Sequence, residues 1–150
     1  MSISKELAAA YIATEYRVFA PDGTFTIRIG EKSPELASLQ AAFNVTSSAF
    51  ITAYNPLSQP TEDAVNRQNQ ERLIEENSFE WKYLLGEGVD PNGEWPSEPS
   101  ILILGIDELA AIAIGHRFGQ NAILFMDAQG EISLRACNPI DPFPPKIEIL

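Results

Sequence analysis

The chain of 150 residues carries one cysteine, Cys137, and one histidine, His116. A lone cysteine excludes an internal disulfide, and with a lone histidine it leaves no ligand set for a zinc site, so no metal is expected. No run approaches the roughly 20 apolar residues that a membrane span requires, and no membrane partner is expected. Met1 to Glu6 offers no basic stretch leading into an apolar core, so no signal peptide is expected either. With cysteine so scarce, the expected location is the cytoplasm. Basic residues are sparse as well: ten Lys and Arg stand against 21 Asp and Glu, a formal net charge of −11. This argues against DNA, RNA and anionic lipid, whose binding partners present basic faces. It suits a well-solvated protein. There is no phosphate-binding Walker loop, no Gly-rich dinucleotide fingerprint, no Gly-x-Ser-x-Gly elbow and no His-Glu-x-x-His, and hence no expected cofactor.

What is present is a globular composition, 45% apolar and 21% charged, in a chain the size of one domain with a core of its own. Residues 3–13 are alanine-rich and read as an opening helix. Residues 15–19 and 24–29 alternate at the strand period around Pro21-Asp22-Gly23, which predicts a β-hairpin. Ser33-Pro34 opens a helix over 34–44, with a hydroxyl cap and proline in the first turn. Residues 49–54 read as a buried strand stopped by Asn55-Pro56. Thr61 is placed to cap a helix running to about Glu76, with Glu62 and Asp63 complementing its dipole. After a strand at 80–85, Gly86 to Ser100 reads as a long loop. Ile101 to Leu104 is apolar throughout, as in a strand covered on both faces. Asp107 caps a helix over 108–118, and a second hairpin joins 122–126 to 131–135. From Asn138, prolines 139, 142, 144 and 145 predict an extended tail. Hairpins at both ends favour an α+β fold, a single domain over residues 1–150 with a mixed or largely antiparallel sheet and three to four helices.

Three segments carry more polar chemistry than packing requires. The buried strand ends in Thr52, Asn55 and Ser58, and rigidly held strand ends are favourable places for a site. The plainer account is that Asn55-Pro56 terminates the strand. In the following helix Asn66 and Asn69 are three apart, and the stripe of Val65 and Leu73 takes Asn69 inward, where it needs a hydrogen-bond partner. That partner is a backbone group, the 52–58 loop, which Asn69 would then pin, or a ligand. The third segment is His116-Arg117-Phe118-Gly119-Gln120-Asn121. His116 falls on the stripe of Leu109, Ile112 and Ala113, where a lone histidine is ordinarily a core residue rather than a catalyst. Cys137 has no histidine near it in sequence, so it is not expected to act as a nucleophile.

Phe50-Ile51-Thr52-Ala53-Tyr54-Asn55-Pro56 with Ser58, then Asn66, Asn69 and Leu73, then Trp95-Pro96-x-Glu98-Pro99-Ser100, then Arg117-Phe118-Gly119-Gln120-Asn121-Ala122 resembles a bacterial family catalogued as domain of unknown function 3293. The resemblance covers about residues 47–135 and leaves out residues 1–46 and the tail, 136–150. It implies that Thr52, Asn55, Pro56, Ser58, Asn66, Asn69, Trp95, Pro96, Glu98, Gly105, Arg117, Gly119, Gln120 and Asn121 belong together, and it implies no reaction. From amides, a hydroxyl, an arginine and an aromatic, the leading expectation is a binding module for a small polar ligand or peptide, its pocket gathered from Thr52, Asn55, Ser58, Asn66, Asn69, Trp95, Arg117, Gln120 and Asn121. One alternative is a small hydrolase or transferase with His116 or Glu98 as general base. The other is a protein-interaction or self-associating module.

Overall fold

The computed structural model of the chain describes residues 4–137. Seven strands form one sheet: β1 (Glu15–Ala20), β2 (Gly23–Ile27), β3 (Ser48–Ile51), β4 (Lys82–Val89), β5 (Glu98–Leu104), β6 (Ala122–Met126) and β7 (Ile132–Ala136). Their order is β2-β1-β4-β5-β3-β6-β7, and every neighbouring pair is antiparallel. The expected α+β class and antiparallel sheet are therefore what the chain adopts. Three hairpins (β1–β2, β4–β5, β6–β7) supply six strands, and β3 enters between the last two hairpins.

Strand alternation sorts the core into two layers. On one face Tyr16, Val18, Ile27, Phe50, Leu102, Leu104, Leu124 and Met126 meet helices α1 (Lys5–Ala13) and α2 (Pro34–Ala42), through Tyr11, Leu36 and Leu39. On the other, Ala49, Ile51, Ile101, Ile103 and Ile123 meet α3 (Asp63–Asn77) and α4 (Glu108–Arg117), through Leu73, Ala111 and Ile112. The central strands are covered twice, which is why 101–104 reads as unbroken apolar sequence. The uncovered part of the second face leaves Phe19, Tyr83 and Leu85 exposed.

The helix starts follow the caps. Ser4, Ser33 and Asp107 each accept a backbone N–H from the first turn of α1, α2 and α4. Helix α3 departs from expectation: it begins at Asp63, and Thr61 is not its cap. The Thr61 backbone instead donates to Asn55 Oδ1 at 3.1 Å, which draws the residue into the preceding loop. A buried polar chain anchors α2, with Ser48 Oγ donating to Gln40 Oε1 (2.5 Å) and Gln40 Nε2 donating to the Asp127 carbonyl (2.8 Å).

The long loop expected over 86–100 is corrected to residues 90–97, because β4 continues through Gly86 and Gly88 to Val89 and β5 begins at Glu98. Gly86 is there to make room. A Cβ on Gly86 would overlap the Arg17 carbonyl oxygen and stand 2.9 Å from the Phe50 ring. The shortened loop is folded on Asp90, whose carboxylate accepts the Asn92 and Glu94 N–H groups at 3.0 and 2.8 Å. The strand expected to end at Arg135 continues to Ala136, and the tail expected from Asn138 lies outside the described residues. No helix among the described residues is long and apolar enough to cross a membrane.

Candidate functional site

Beyond the end of β3 the chain turns through a 3-10 turn at Pro56–Ser58, in which Asn55, Leu57 and Ser58 all take left-handed backbone conformations (φ 47°, 57° and 58°). Asparagine tolerates this region, but for Leu and Ser it costs on the order of 1–3 kcal/mol each and persists only where neighbours enforce it. The neighbours are identifiable. Asn55 N–H donates to Asn66 Oδ1 (2.8 Å), Asn66 Nδ2 donates to Asn55 Oδ1 (3.0 Å) and the Thr61 carbonyl (3.1 Å), and Leu57 N–H donates to the Gly119 carbonyl (2.6 Å). Asn121 Nδ2 donates to Ser58 Oγ at 3.0 Å. The strained turn is thus clamped between α3 and the α4–β6 connection.

Gly119 lies against this turn with φ +72°, and an added Cβ would stand 2.8 Å from the Pro56 Cβ. Gly119→Ala therefore faces both a left-handed backbone and a clash. We expect it to lose about 1–3 kcal/mol in chemical denaturation; an unchanged midpoint would mean that the turn does not depend on this contact.

Facing the turn, a cleft of ≈ 570 Å³ opens between α1, the first-face residues of β1, β3, β5 and β6, and the 95–98 segment. Thr52, Asn55, Ser58, Asn66, Trp95 and Gln120 all line it, as does Glu98. Thr52 Oγ1 donates to the Pro99 carbonyl (2.7 Å), which ties the end of β3 to the start of β5. Gln120 Nε2 donates to the Tyr54 and Phe118 carbonyls (3.1 and 3.3 Å). Asn55 Nδ2 donates to Glu98 Oε2 at 2.6 Å. Burial raises the Glu98 carboxyl above its ordinary 4.5, and the Asn55 hydrogen bond only partly offsets this. A carboxyl raised on folding stabilises the native state fully below its unfolded value and loses that contribution as pH rises through the folded value. Glu98→Gln should accordingly be more stable than the parent at pH 7, with the difference vanishing as pH falls below about 4. Denaturation curves across that range that stay parallel would contradict the burial of this carboxyl.

Asn121 does not line the cleft and meets it only through its hydrogen bond to Ser58. Three expected residues sit elsewhere. Asn69 is only half-buried, because the inward face of α3 is Asn66, Gln70 and Leu73, one position out of phase with the stripe of Val65, which is 41% exposed. Arg117 is turned to α3, where its Nε and Nη2 meet Glu76 at 2.6 and 2.9 Å, lowering the Glu76 carboxyl and raising the guanidinium. His116 is exposed in the last turn of α4, not on an apolar stripe. The buried face there is Ala111, Ile112 and Gly115, and Leu109 is 56% exposed. Neither His116 nor Arg117 lines the cleft.

The sequence reading missed the opposite wall. Tyr11 and Thr14 from the α1 end and Tyr16 from β1 line the cleft, and the Tyr16 hydroxyl donates to the Tyr11 carbonyl at 2.7 Å. Burial, then the neighbouring Cys137 thiol and Glu98 carboxyl, push the Tyr11 phenol well above its ordinary range. Gln70 was missed too: its Oε1 accepts the Ala53 N–H at 2.9 Å, leaving Nε2 buried with no partner among the described residues. Cys137 lies outside the cleft, and burial pushes its thiol up to about 12, so it stays protonated at neutral pH.

The family model described as Protein of unknown function (DUF3293) matches residues 51–123, within the span over which the sequence resembles that family. No curated protein and no solved structure matches the chain.

Proposed function

We propose, for a chain that belongs to the DUF3293 family, that the cleft is a binding site for a small polar ligand or the end of a peptide. The observation that carries this reading is convergence. Thr52, Asn55, Ser58, Asn66, Trp95, Glu98 and Gln120, spread over about half of the chain, line one cavity of ≈ 570 Å³. Its size falls within the range of small-molecule pockets, about 300–1,000 Å³, and its mix of aromatic walls with a few fixed polar groups is what such pockets use to orient a ligand. The strained 55–58 turn supports the same reading, since a backbone held in unfavourable conformations by several hydrogen bonds is a recurrent feature of binding sites.

A thermal-shift screen of the purified protein against nucleotides, sugars, amino acids, amines and short peptides tests it. A ligand at 100 times its Kd stabilises by about 2.7 kcal/mol, a rise of roughly 5–10 °C for a chain of this size. The rise should vanish in Trp95→Ala. Shifts that survive substitutions throughout the cleft would place binding elsewhere and end this proposal.

The hydrolase or transferase alternative keeps one supporting observation: Glu98 is a carboxyl in the cleft whose pKa is raised by burial, as a general base requires. His116, outside the cleft, gives it none. If a screened ligand is turned over, Glu98→Gln should lose turnover by about 100-fold or more at saturating ligand.

A further inference from the structure

The polar groups of the cleft are unequally engaged. Its amide nitrogens already donate within the protein: Asn66 Nδ2 to two acceptors, Gln120 Nε2 to two, and Asn55 Nδ2 to Glu98. The orientations of Asn55 and Asn66 are fixed by backbone N–H groups, since Thr61 N donates to Asn55 Oδ1 and Asn55 N donates to Asn66 Oδ1. This leaves Asn55 only its Nδ2 side to offer to Glu98. Among these carboxyl and amide groups, two oxygens remain without a partner. Glu98 Oε1 and Gln120 Oε1 accept no hydrogen bond from any described residue. Among the described residues no Lys, Arg or His lines the cleft, so none of them supplies the Glu98 carboxylate with a counter-ion there. Tyr11, Tyr16, Phe50, Tyr54 and Trp95 line it as well.

Two unpartnered acceptor oxygens, a carboxylate without a cation among the described residues and aromatic rings together suit a positively charged donor. From this geometry we propose that the ligand class of the cleft is an organic ammonium, its N–H groups donating to Glu98 Oε1 and its charge lying against the aromatic side chains. An ammonium supplies hydrogen bonds and charge to the carboxylate, and aromatic faces attract cations through the ring quadrupole. The net charge of −11 draws cations toward the molecule and repels anionic ligands of the same shape. This inference rests on the reading of the cleft as a ligand site and narrows its chemistry.

Three probes of one shape and different charge separate the possibilities: benzylammonium, benzyl alcohol and benzoate, each titrated calorimetrically into the full chain at pH 7. Benzylammonium should bind saturably, about tenfold or more tighter than benzyl alcohol, with benzoate weakest, since a hydrogen bond to a charged group contributes about that much. Glu98→Gln, which keeps the shape and can still accept from Asn55, should weaken benzylammonium by a similar factor and benzyl alcohol by distinctly less. Benzyl alcohol or benzoate binding as tightly as benzylammonium, or benzylammonium indifferent to Glu98→Gln, overturns the ammonium assignment while leaving the cleft a ligand site. Absence of saturable benzylammonium binding overturns it too. The broader thermal-shift screen then decides independently whether the cleft binds any ligand.

Discussion

Gly86→Ala should be among the most damaging single-methyl additions in the protein, losing about 3 kcal/mol or more and lowering Tm by roughly 6–12 °C. Gly86 sits mid-strand in β4, paired with Val18 on one side and Ser100 on the other. A Cβ there would enter the Arg17 carbonyl oxygen, which is backbone and cannot swing aside, and would stand 2.9 and 3.2 Å from two atoms of the Phe50 ring. Phe50 cannot retreat easily, because its ring packs edge-on against Tyr16 at a centroid separation of 5.4 Å and is 4% exposed. Relief requires either prying β1 from β4 or tilting a core aromatic that also lines the cleft. Gly88→Ala is the control. Two residues along the same strand, its Cβ would find only ordinary contacts of 3.6–4.0 Å with Thr14 and Tyr16. It should cost no more than about 1 kcal/mol, because alanine suits a strand at least as well as glycine. Equal losses in the two variants would mean that glycine is required in β4 for its flexibility rather than for space.

The same two glycines mark where the sequence stops being legible. Read locally, Gly86 and Gly88 signal a loop, because nothing within β4 shows that Phe50, 36 residues before Gly86, occupies the space a side chain there would need. The hairpins and most caps depend on neighbours in sequence, so Pro21-Asp22-Gly23, Ser33-Pro34 and Asp107 could be read directly. The phase of α3 could not. Val65 sets an apolar stripe through Asn69, whereas the helix turns Asn66 and Gln70 inward to satisfy the backbone of residues 53–61, a tertiary demand that hydropathy does not encode. In α4 the buried face is marked by small size rather than hydrophobicity: a Cβ on Gly115 would stand 2.6 Å from both Cys137 Sγ and Ile123 Cγ2. Leu109 and Ala113 therefore face outward, and His116 goes with them. The aromatic wall of the cleft was hidden for another reason. Tyr11 and Tyr16 lie outside residues 51–123, and only the antiparallel addition of β1 to β4 brings them opposite Asn55 and Glu98.

Asn66→Leu should lose about 2–4 kcal/mol and abolish the binding proposed for the cleft together, whereas Asn69→Leu, three residues along the same helix, should change stability by less than about 1 kcal/mol. Asn66 is 2% exposed and makes three hydrogen bonds. Leucine at this position matches the burial and raises helix propensity, so by hydropathy alone the change should help. The hydrogen bonds reverse that sign. Removing the amide strands the Asn55 N–H and the Thr61 carbonyl, and an unsatisfied buried group costs about 1–3 kcal/mol, well above the propensity gain. It also frees Asn55, whose left-handed backbone and bond to Glu98 both depend on its position. The turn can then relax, releasing strain and limiting the loss of stability, but at the expense of the cleft. That compensation predicts a signature in hydrogen exchange: protection lost over residues 53–61 while β3, β5 and β6 keep theirs. Asn69 makes none of these bonds, so its replacement probes helix surface alone. Should Asn66→Leu prove neutral in stability and in exchange, the clamp on the 55–58 turn would have to lie in the Gly119 contact instead, and the cleft's shape would depend on the α4–β6 connection rather than on α3.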